Sequence, residues 1–470
     1  MNKQLNSIKA AIRECGLKDG MTVSFHHHLR NGDFVLNMVM EAAAEAGIKN
    51  LKVAASSIFD IHEPLIRHIQ DGVVSEIETS YMSKKVGYAI SQGILEKPVI
   101  FHSHGGRAAA IMSGRCHIDV AFIAAPTSDP MGNCTGKTGP AACGPLSYPV
   151  PDALCADKVV VITDNLVPYP LENASICETN VDYVVVVDQI GDPNGIVSGT
   201  TQITRDPVGL LIAQYASKVI EYSGLLKDGF SFQTGAGGST LAVAKYVKEL
   251  MLKKNVKGSF GLGGISSYMV DMLNAGCFEK LMDVQSFDLG AVQSIRDNTK
   301  HIEIDASRYA SPLVRSAAVD SLDTVILGAT QVDTDFNVNV HTTSDGYIMG
   351  GSGGHSDCAA GSKLAIILTP TVRRRMPMVV DRVNCISTPG DTVDVIVTQH
   401  GIAVNPKHEE LRERLTDAGL PITDIEGLKQ TAEKITGIPA PCKHGKKVVA
   451  EVMYRDGSLL DQIYCVDESR

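Results

Sequence analysis

Two stretches of the chain, DVAFIAAPTSDPMGN (residues 119–133) and DTVILGATQVDTDFN (residues 323–337), align without a gap. Each opens on aspartate, passes through a short apolar run of strand length and ends in a polar turn closed by asparagine. Outward from this pair the correspondence continues. ADKVVVIT (156–163) lines up with GSKLAIILT (361–369) once one residue is inserted. Upstream, Gly16-Leu17-Lys18-Asp19-Gly20 is echoed by Gly224-Leu225-Leu226-Lys227-Asp228-Gly229. The offset stays near about two hundred residues, far longer than any solenoid period, so it marks a duplicated domain. We expect two tandem open α/β domains with mainly parallel sheets, residues 1–223 and 224–470.

The local signals agree. Leu5, Ile8 and Ile12 recur at helical spacing before the Gly16–Gly20 stop. Apolar strands are expected at Met21–Phe25, Leu51–Ala55, Val99–Phe101, Val120–Ala125, Val159–Ile162 and Tyr183–Val187, with helical patterns between several of them. Asp206 and Pro207 form a start signal for a helix over Pro207–Tyr222. The charge-rich helical patterns after Val404 are read as solvated faces closing the second domain.

Composition narrows the function. A hydrophobic fraction of 44% supplies buried cores, and a net charge of −10 argues against nucleic acid as a partner. The eleven cysteines include no CxxC pair, the usage of a reducing compartment. No run approaches membrane-spanning length, and a cytoplasmic location without membrane partners is expected.

Four loops stand where α/β proteins bind ligands. The first, His26–Asp33, follows a strand. Adjacent residues on a strand alternate sides, so one inward histidine together with Arg30 is read as an anion donor, and a zinc site is not expected. The second is Ser103-His104-Gly105-Gly106-Arg107 at a helix start, where backbone N–H groups and the Arg107 guanidinium suit a carboxylate. The third, Gln233–Thr240, carries Gly235, Gly237 and Gly238. The fourth, IMGGSGGHSDCAAG (348–361), carries Gly350, Gly351, Gly353 and Gly354 and is expected to be pinned to the end of a buried strand. No nucleophile–base pair accompanies them: His355-Ser356-Asp357 is too close along the backbone to act as a relay. There is no P-loop lysine after GAGGST. The loops therefore read as holders of anions and developing oxyanions, with the nucleophile arriving on the substrate.

The motifs SFHHHLRNGD, SHGGRAAAI, HIDVAFIAAPTSDPMGN, ADKVVVITDNLVPYP, SGTTQITRDPVGLLIA, DGFSFQTGAGGSTLAV, DVQSFDL and GGSGGHSD, in this order, closely resemble the citrate lyase alpha-chain family, itself similar to CoA-transferases. The resemblance runs from about Gly16 to Tyr454. It implies two tandem α/β domains with the active site in the cleft between them, and a citrate CoA-transferase activity. In that reaction citrate displaces the thiolate of an acetyl thioester through a mixed anhydride, without an acyl-enzyme, releasing acetate.

The implied partners are citrate, the acetyl thioester and the beta and gamma (acyl-carrier) subunits, in an oligomer. No permanently bound cofactor is implied; the phosphoribosyl-dephospho-CoA arm of the carrier, or acyl-CoA, acts as substrate. Within this frame Gly353, Gly354, Gly237 and Gly238 are assigned to the thioester carbonyl, and Gly235, Gly350 and Gly351 to the thioester arm. His26, Arg30, His104, Gly105, Gly106 and Arg107 are assigned to citrate. Related transferases use a glutamate near the stretch Met282–Gly290, which has none; Asp283 or Asp288 is the available substitute. Rival readings are a citramalate transferase, a transferase using free acyl-CoA, and a sugar-phosphate isomerase or anion sensor on the same domain type.

Overall fold

The computed structural model describes residues 3–197, 202–235 and 237–466, so 198–201 of the SGTTQITRD motif and Ala236 of the GAGG motif lie outside the described residues. The duplication is visible as topology. A ten-stranded sheet contains Thr22–Phe25, Leu51–Ala55, Val74–Thr79, Val99–Phe101, Val120–Ala124, Lys158–Thr163 and Tyr183–Val186, all paired in parallel. A nine-stranded sheet contains Ser231–Thr234, Gly258–Ile265, Phe278–Ser286, His301–Glu303, Thr324–Gly328, Leu364–Leu368 and Val395–Thr398, again all parallel. Counted along the chain, both sets have the same spatial order: seventh, sixth, fifth, first, second, third, fourth.

That order has a functional consequence. The first and fifth strands are neighbours, but the chain leaves them toward opposite edges of the sheet. A crevice opens beyond their carboxyl ends, the place where open α/β sheets take ligands. In the first sheet it lies after Phe25, and in the second after Thr234. The segment His26–Asp33 and the glycines Gly235, Gly237 and Gly238 are placed there by topology.

The strands are buried on both faces. Val120–Ala124, Leu364–Leu368 and Val395–Thr398 are buried throughout, which explains their unbroken apolar reading. The expected helix starts hold as well: Asp206 accepts from the Gly209 N–H at 3.0 Å, with Pro207 in the first turn.

The expected domain limits need two corrections. Helix Pro207–Tyr222 buries Ile212, Ala213, Ala216, Val219 and Ile220 in the core of the second sheet, so the division falls before it rather than at 223. The C-terminal strands His444–Met453 and Leu459–Val466 do not close the second domain. The first of them pairs in parallel with Val99–Phe101, and together they finish the edge of the first sheet. An edge of unpaired peptide groups is thereby covered. Helices Glu409–Asp417 and Ile425–Thr436 do pack on the second domain, through Leu415 and Leu428.

Candidate active site

The strand ends at Phe25, so the alternation expected for the three histidines does not govern them. His26, His27 and His28 are all buried in the following loop. Arg30 then turns with φ of +53°, a left-handed conformation that costs a non-glycine residue about 1–3 kcal/mol. The turn sets the guanidinium 5.4 Å from the centre of the Phe59 ring and 5.4 Å from that of Phe287. Phe59 belongs to the first domain and Phe287 follows a strand of the second, so Arg30 lies at the boundary between them. Its Nη1 is buried without a hydrogen-bond partner, and among the described residues it forms no ion pair. Burial lowers its pKa, and the neighbouring Tyr81 and Tyr148 phenols offset only part of the lost hydration.

Beside it, His27 is oriented from both sides. Its Nδ1 lies 2.7 Å from Ser56 Oγ and its Nε2 lies 3.2 Å from Gln285 Oε1. Gln285 Nε2 donates to the His27 carbonyl at 3.1 Å, which turns the amide oxygen toward the ring. His27 Nε2–H therefore donates, and Nδ1 accepts from Ser56. The His27 ring also packs on Tyr148 (4.4 Å between centres) and His104 (5.6 Å). Burial first, then the Arg107 charge, pushes His26 and His104 down to about 3. His27 and His28 are likewise held well below the usual histidine range, with burial the main cause. Burial raises the Tyr148 phenol, so it stays protonated. The cleft thus contains neutral imidazoles and a phenol around one uncompensated guanidinium. Such a site favours an anion.

The SHGGR segment begins helix His104–Met112, but not as an open anion site. The N–H of His104 donates to the Gly353 carbonyl at 2.7 Å, that of Gly105 to Asp357 Oδ2 at 2.9 Å, and that of Gly106 to Ser103 Oγ at 2.9 Å. Gly105 is glycine because a β-carbon there would overlap the Ala310 carbonyl of the second domain. Arg107 is also turned away from any ligand. Its Nη1 and Nη2 donate to Asp152 Oδ1 and Oδ2 at 2.8 and 2.9 Å, and Nη2 donates to the Ala54 carbonyl at 2.8 Å. The expected assignment of Arg107, Gly105 and Gly106 to citrate is corrected: their donors close the protein on itself.

The glycine loops divide similarly. Gly350–Gly354 leads into the short helix His355–Gly361 rather than being pinned to a strand end. The Gly353 N–H donates to the Ser80 carbonyl at 3.2 Å, and that of Gly350 to the His341 carbonyl at 3.2 Å. A β-carbon at Gly351 would overlap the Ser80 carbonyl, so this loop is seated directly on first-domain backbone. Gly354 lies against the Tyr309 hydroxyl.

In the other loop the Gly237 N–H donates to Thr240 Oγ1 at 2.8 Å and the Gly235 N–H to the Ile326 carbonyl at 3.0 Å. Gly238 opens helix Gly238–Lys254, and its carbonyl accepts from the Thr204 N–H at 3.1 Å. The expected use of the Gly353 and Gly237 N–H groups at a thioester carbonyl is therefore also corrected. Gln233 links the two loops, its Nε2 donating to the Tyr309 hydroxyl at 2.9 Å. The structure brings His27, Arg30, His104 and Gly353 together, while Gly238 lies against the Thr204 segment and Gly237 against Thr240.

Neither candidate carboxylate is free. Asp283 is fully buried, accepting from Ser286 Oγ at 2.8 Å and the Gln285 N–H at 2.8 Å, with His301 Nε2 at 3.1 Å. Asp288 caps helix Leu289–Asp297, accepting from the Ala291 N–H at 2.9 Å and from Ser267. The side chain that reaches the cleft from this stretch is the amide of Gln285. Sequence reading missed it by looking for an acid, and it missed Tyr148, Phe59 and Phe287, which sit in no motif with a chemical signature.

The match to a family model extends over residues 1–466 and is to citrate lyase, alpha subunit. The citrate lyase alpha chain of Escherichia coli (strain K12) is 49% identical over 462 residues, covering 98% of this chain and 91% of that one. That of Klebsiella pneumoniae is 48% identical over 467 residues, covering 99% and 92%. The crystal structure of a protein described as the putative alpha subunit of citrate lyase from Streptococcus mutans, in complex with citrate, superposes with a TM-score of 0.98 at 52% identity, covering 100% of this chain and 92% of that one. A Pseudomonas malonate decarboxylase shares the fold at 18% identity, with a TM-score of 0.70 and coverage of 93% and 88%. With an uncompensated cation in a cleft between duplicated α/β domains and identity near one half along its whole length, the chain belongs to the citrate lyase alpha-subunit family.

Proposed function

We propose that the cleft around Arg30 binds a carboxylate of citrate and presents it to an acetyl thioester. This is the transferase step of the family, in which citrate replaces acetate on the acyl carrier. One observation supports this reading above the others: a partly buried guanidinium, held in a strained turn between Phe59 and Phe287 with its Nη1 enclosed, has no ion-pair partner among the described residues. Burying a cation this way is unfavourable unless a ligand supplies the counter-charge. The Streptococcus mutans relative was crystallised with citrate, which fits such a ligand.

The chemistry needs no nucleophile from the protein. A carboxylate oxygen of citrate attacks the thioester carbonyl, the C–S bond breaks, and a mixed acetyl–citryl anhydride and a thiolate result. The thiolate then attacks the citryl carbonyl and acetate leaves. Both nucleophiles belong to the ligands, consistent with an amide, Gln285, where an acid would serve a covalent route. The protein supplies proximity, charge neutralisation and neutral donors, with His104 and Tyr148 facing the reacting groups and His27 packed behind them. The thioester is carried on the arm of the gamma subunit, and the product passes to the beta subunit for cleavage, in a cytoplasmic complex. No helix among the described residues is long and apolar enough to cross a membrane.

The test is acetate release from acetylated carrier, or from acetyl-CoA, in the presence of citrate, with citramalate as the comparison acceptor. Arg30→Ala should raise the citrate KM by at least about tenfold without lowering the melting temperature, because a buried unpaired charge is removed. Unchanged citrate kinetics in that variant would remove Arg30 from the site. A hydroxylamine-trapped carboxyl thioester on the protein would replace the anhydride route with a covalent one.

A further inference from the structure

We propose that Asp357 is a positioning residue that fixes His104 in the cleft from the opposite domain; the proposal rests on the reading of that cleft given above. Asp357 lies in the first turn of helix His355–Gly361 in the second domain and is completely buried. Its two carboxylate oxygens straddle His104. Oδ1 accepts from the Ser103 hydroxyl at 2.8 Å, and Oδ2 accepts from the Gly105 N–H at 2.9 Å.

The same turn is gripped twice more. The His104 N–H donates to the Gly353 carbonyl, and the Gly106 N–H donates to Ser103 Oγ. All three N–H groups at the start of the His104 helix are thus satisfied, two of them by the second domain. The Arg455 guanidinium stands 3.7 Å from Asp357 Oδ1, too far for a hydrogen bond. The carboxylate therefore depends on the Ser103–Gly105 turn for its hydrogen bonds, and the turn depends on it.

What is fixed this way is the imidazole. The His104 ring packs on Tyr148 at 4.7 Å and on His27 at 5.6 Å between centres, and its Nδ1 is buried without a partner. Among the described residues no side chain hydrogen-bonds the ring, so its position follows from its backbone. That backbone is set by Asp357 and Gly353, both contributed by the glycine-rich stretch of the other domain. The conspicuous GGSGGHSD motif acts here as a clasp that carries a first-domain histidine to its working position. Asp357 touches no ligand in this scheme; it acts through His104.

The test is a mutant cycle on the full-length chain, with acetyl-CoA as donor and citrate as acceptor. Asp357→Asn should lower kcat/KM for citrate by at least about tenfold in the wild-type background and by less than about twofold in His104→Ala. Equal losses in both backgrounds would overturn the proposal, because Asp357 would then act independently of His104. Ser103→Ala, which removes only one hydroxyl, should reproduce the same background dependence with a smaller loss, and covers the case in which Asp357→Asn fails to fold.

A second readout does not depend on turnover. In 15N-histidine-labelled protein, the His104 ring signals, identified by their absence in His104→Ala, should shift in Asp357→Asn or Ser103→Ala. Unmoved signals would overturn the clasp. Failure of the functional reading would show separately, as absence of acetate release by the wild-type chain.

Discussion

Gln285 and His27 exchange two hydrogen bonds across the domain boundary: the ring Nε2 lies 3.2 Å from Oε1, and Nε2 of the amide donates to the His27 carbonyl at 3.1 Å. The pair joins the end of one parallel sheet to the loop after the first strand of the other. An amide suits the position because it both accepts and donates while adding no charge next to Arg30.

Gln285→Leu keeps the bulk and removes both bonds. The His27 ring nitrogen and carbonyl are left without partners, at a cost of about 1–3 kcal/mol for each buried group. We expect a fall in urea midpoint together with a loss of kcat, because the tautomer of His27 is no longer fixed. A variant with wild-type stability and turnover would show that the pair is incidental.

Arg107 makes the opposite kind of prediction. Its guanidinium is closed on fully buried Asp152, so Arg107→Ala leaves an uncompensated carboxylate and should cost about 3–5 kcal/mol of stability. The citrate KM of the folded fraction should stay within about twofold of wild type. Replacing both partners with apolar residues of similar volume should recover much of the stability. A tenfold rise in KM with an unchanged melting temperature would instead return Arg107 to the substrate.

The buried histidines fix the acid limit of stability. His26, His104 and His341 are pushed down to about 3 and His355 to about 4, in each case mainly by burial. In the unfolded chain these rings titrate near about 6.5, so between there and 3 the unfolded state binds more protons. Their contribution is present above pH 6.5 and is lost as the pH falls toward 3. Each contributes up to about 1.4 kcal/mol per pH unit within that window. Urea unfolding across pH 7 to 4 should show a steep decline beginning near 6.5, and His341→Gln should make it shallower. A flat profile over that range would contradict neutral burial.

Two glycines in similar motifs should respond differently to a methyl group. Gly351→Ala drives a β-carbon into the Ser80 carbonyl across the domain boundary, so both stability and turnover should fall. At Gly237 the nearest atom to a new β-carbon is Thr240 Oγ1 at 3.1 Å, and the residue is not left-handed. Gly237→Ala should fold with a change of no more than about 1 kcal/mol. Thermal melts of the two variants side by side check the contrast.

These residues also show what was readable from the chain. The strands Leu51–Ala55, Val99–Phe101 and Val120–Ala124, the Asp206–Pro207 helix start and the duplication were legible because each is encoded within a few consecutive residues or in their periodic return. Pairings were not. Arg107 reads as a free cation until Asp152, forty-five positions away, is folded against it. SHGG reads as an anion cradle until Asp357 arrives from 252 positions later. Arg30 is visible in the sequence as a cation beside the first strand, but its aromatic bracket could not be foreseen, since Phe59 and Phe287 are supplied by separate domains. The same limit misplaced the end of the chain, whose strand pattern was plain but whose partner, Val99–Phe101, was not.

That last pairing has a mechanical outcome. Because His444–Met453 docks beside Val99–Phe101, the polypeptide passes from one lobe to the other twice, once before Pro207 and again between Thr436 and His444. Two tethers constrain rotation where one would permit swivelling. Any widening between the lobes is then confined to a book-like motion about the line joining them. Cutting the gene between its duplicated halves would leave the amino-terminal product with a bare, sticky flank, so the halves are not separable modules despite their common ancestry.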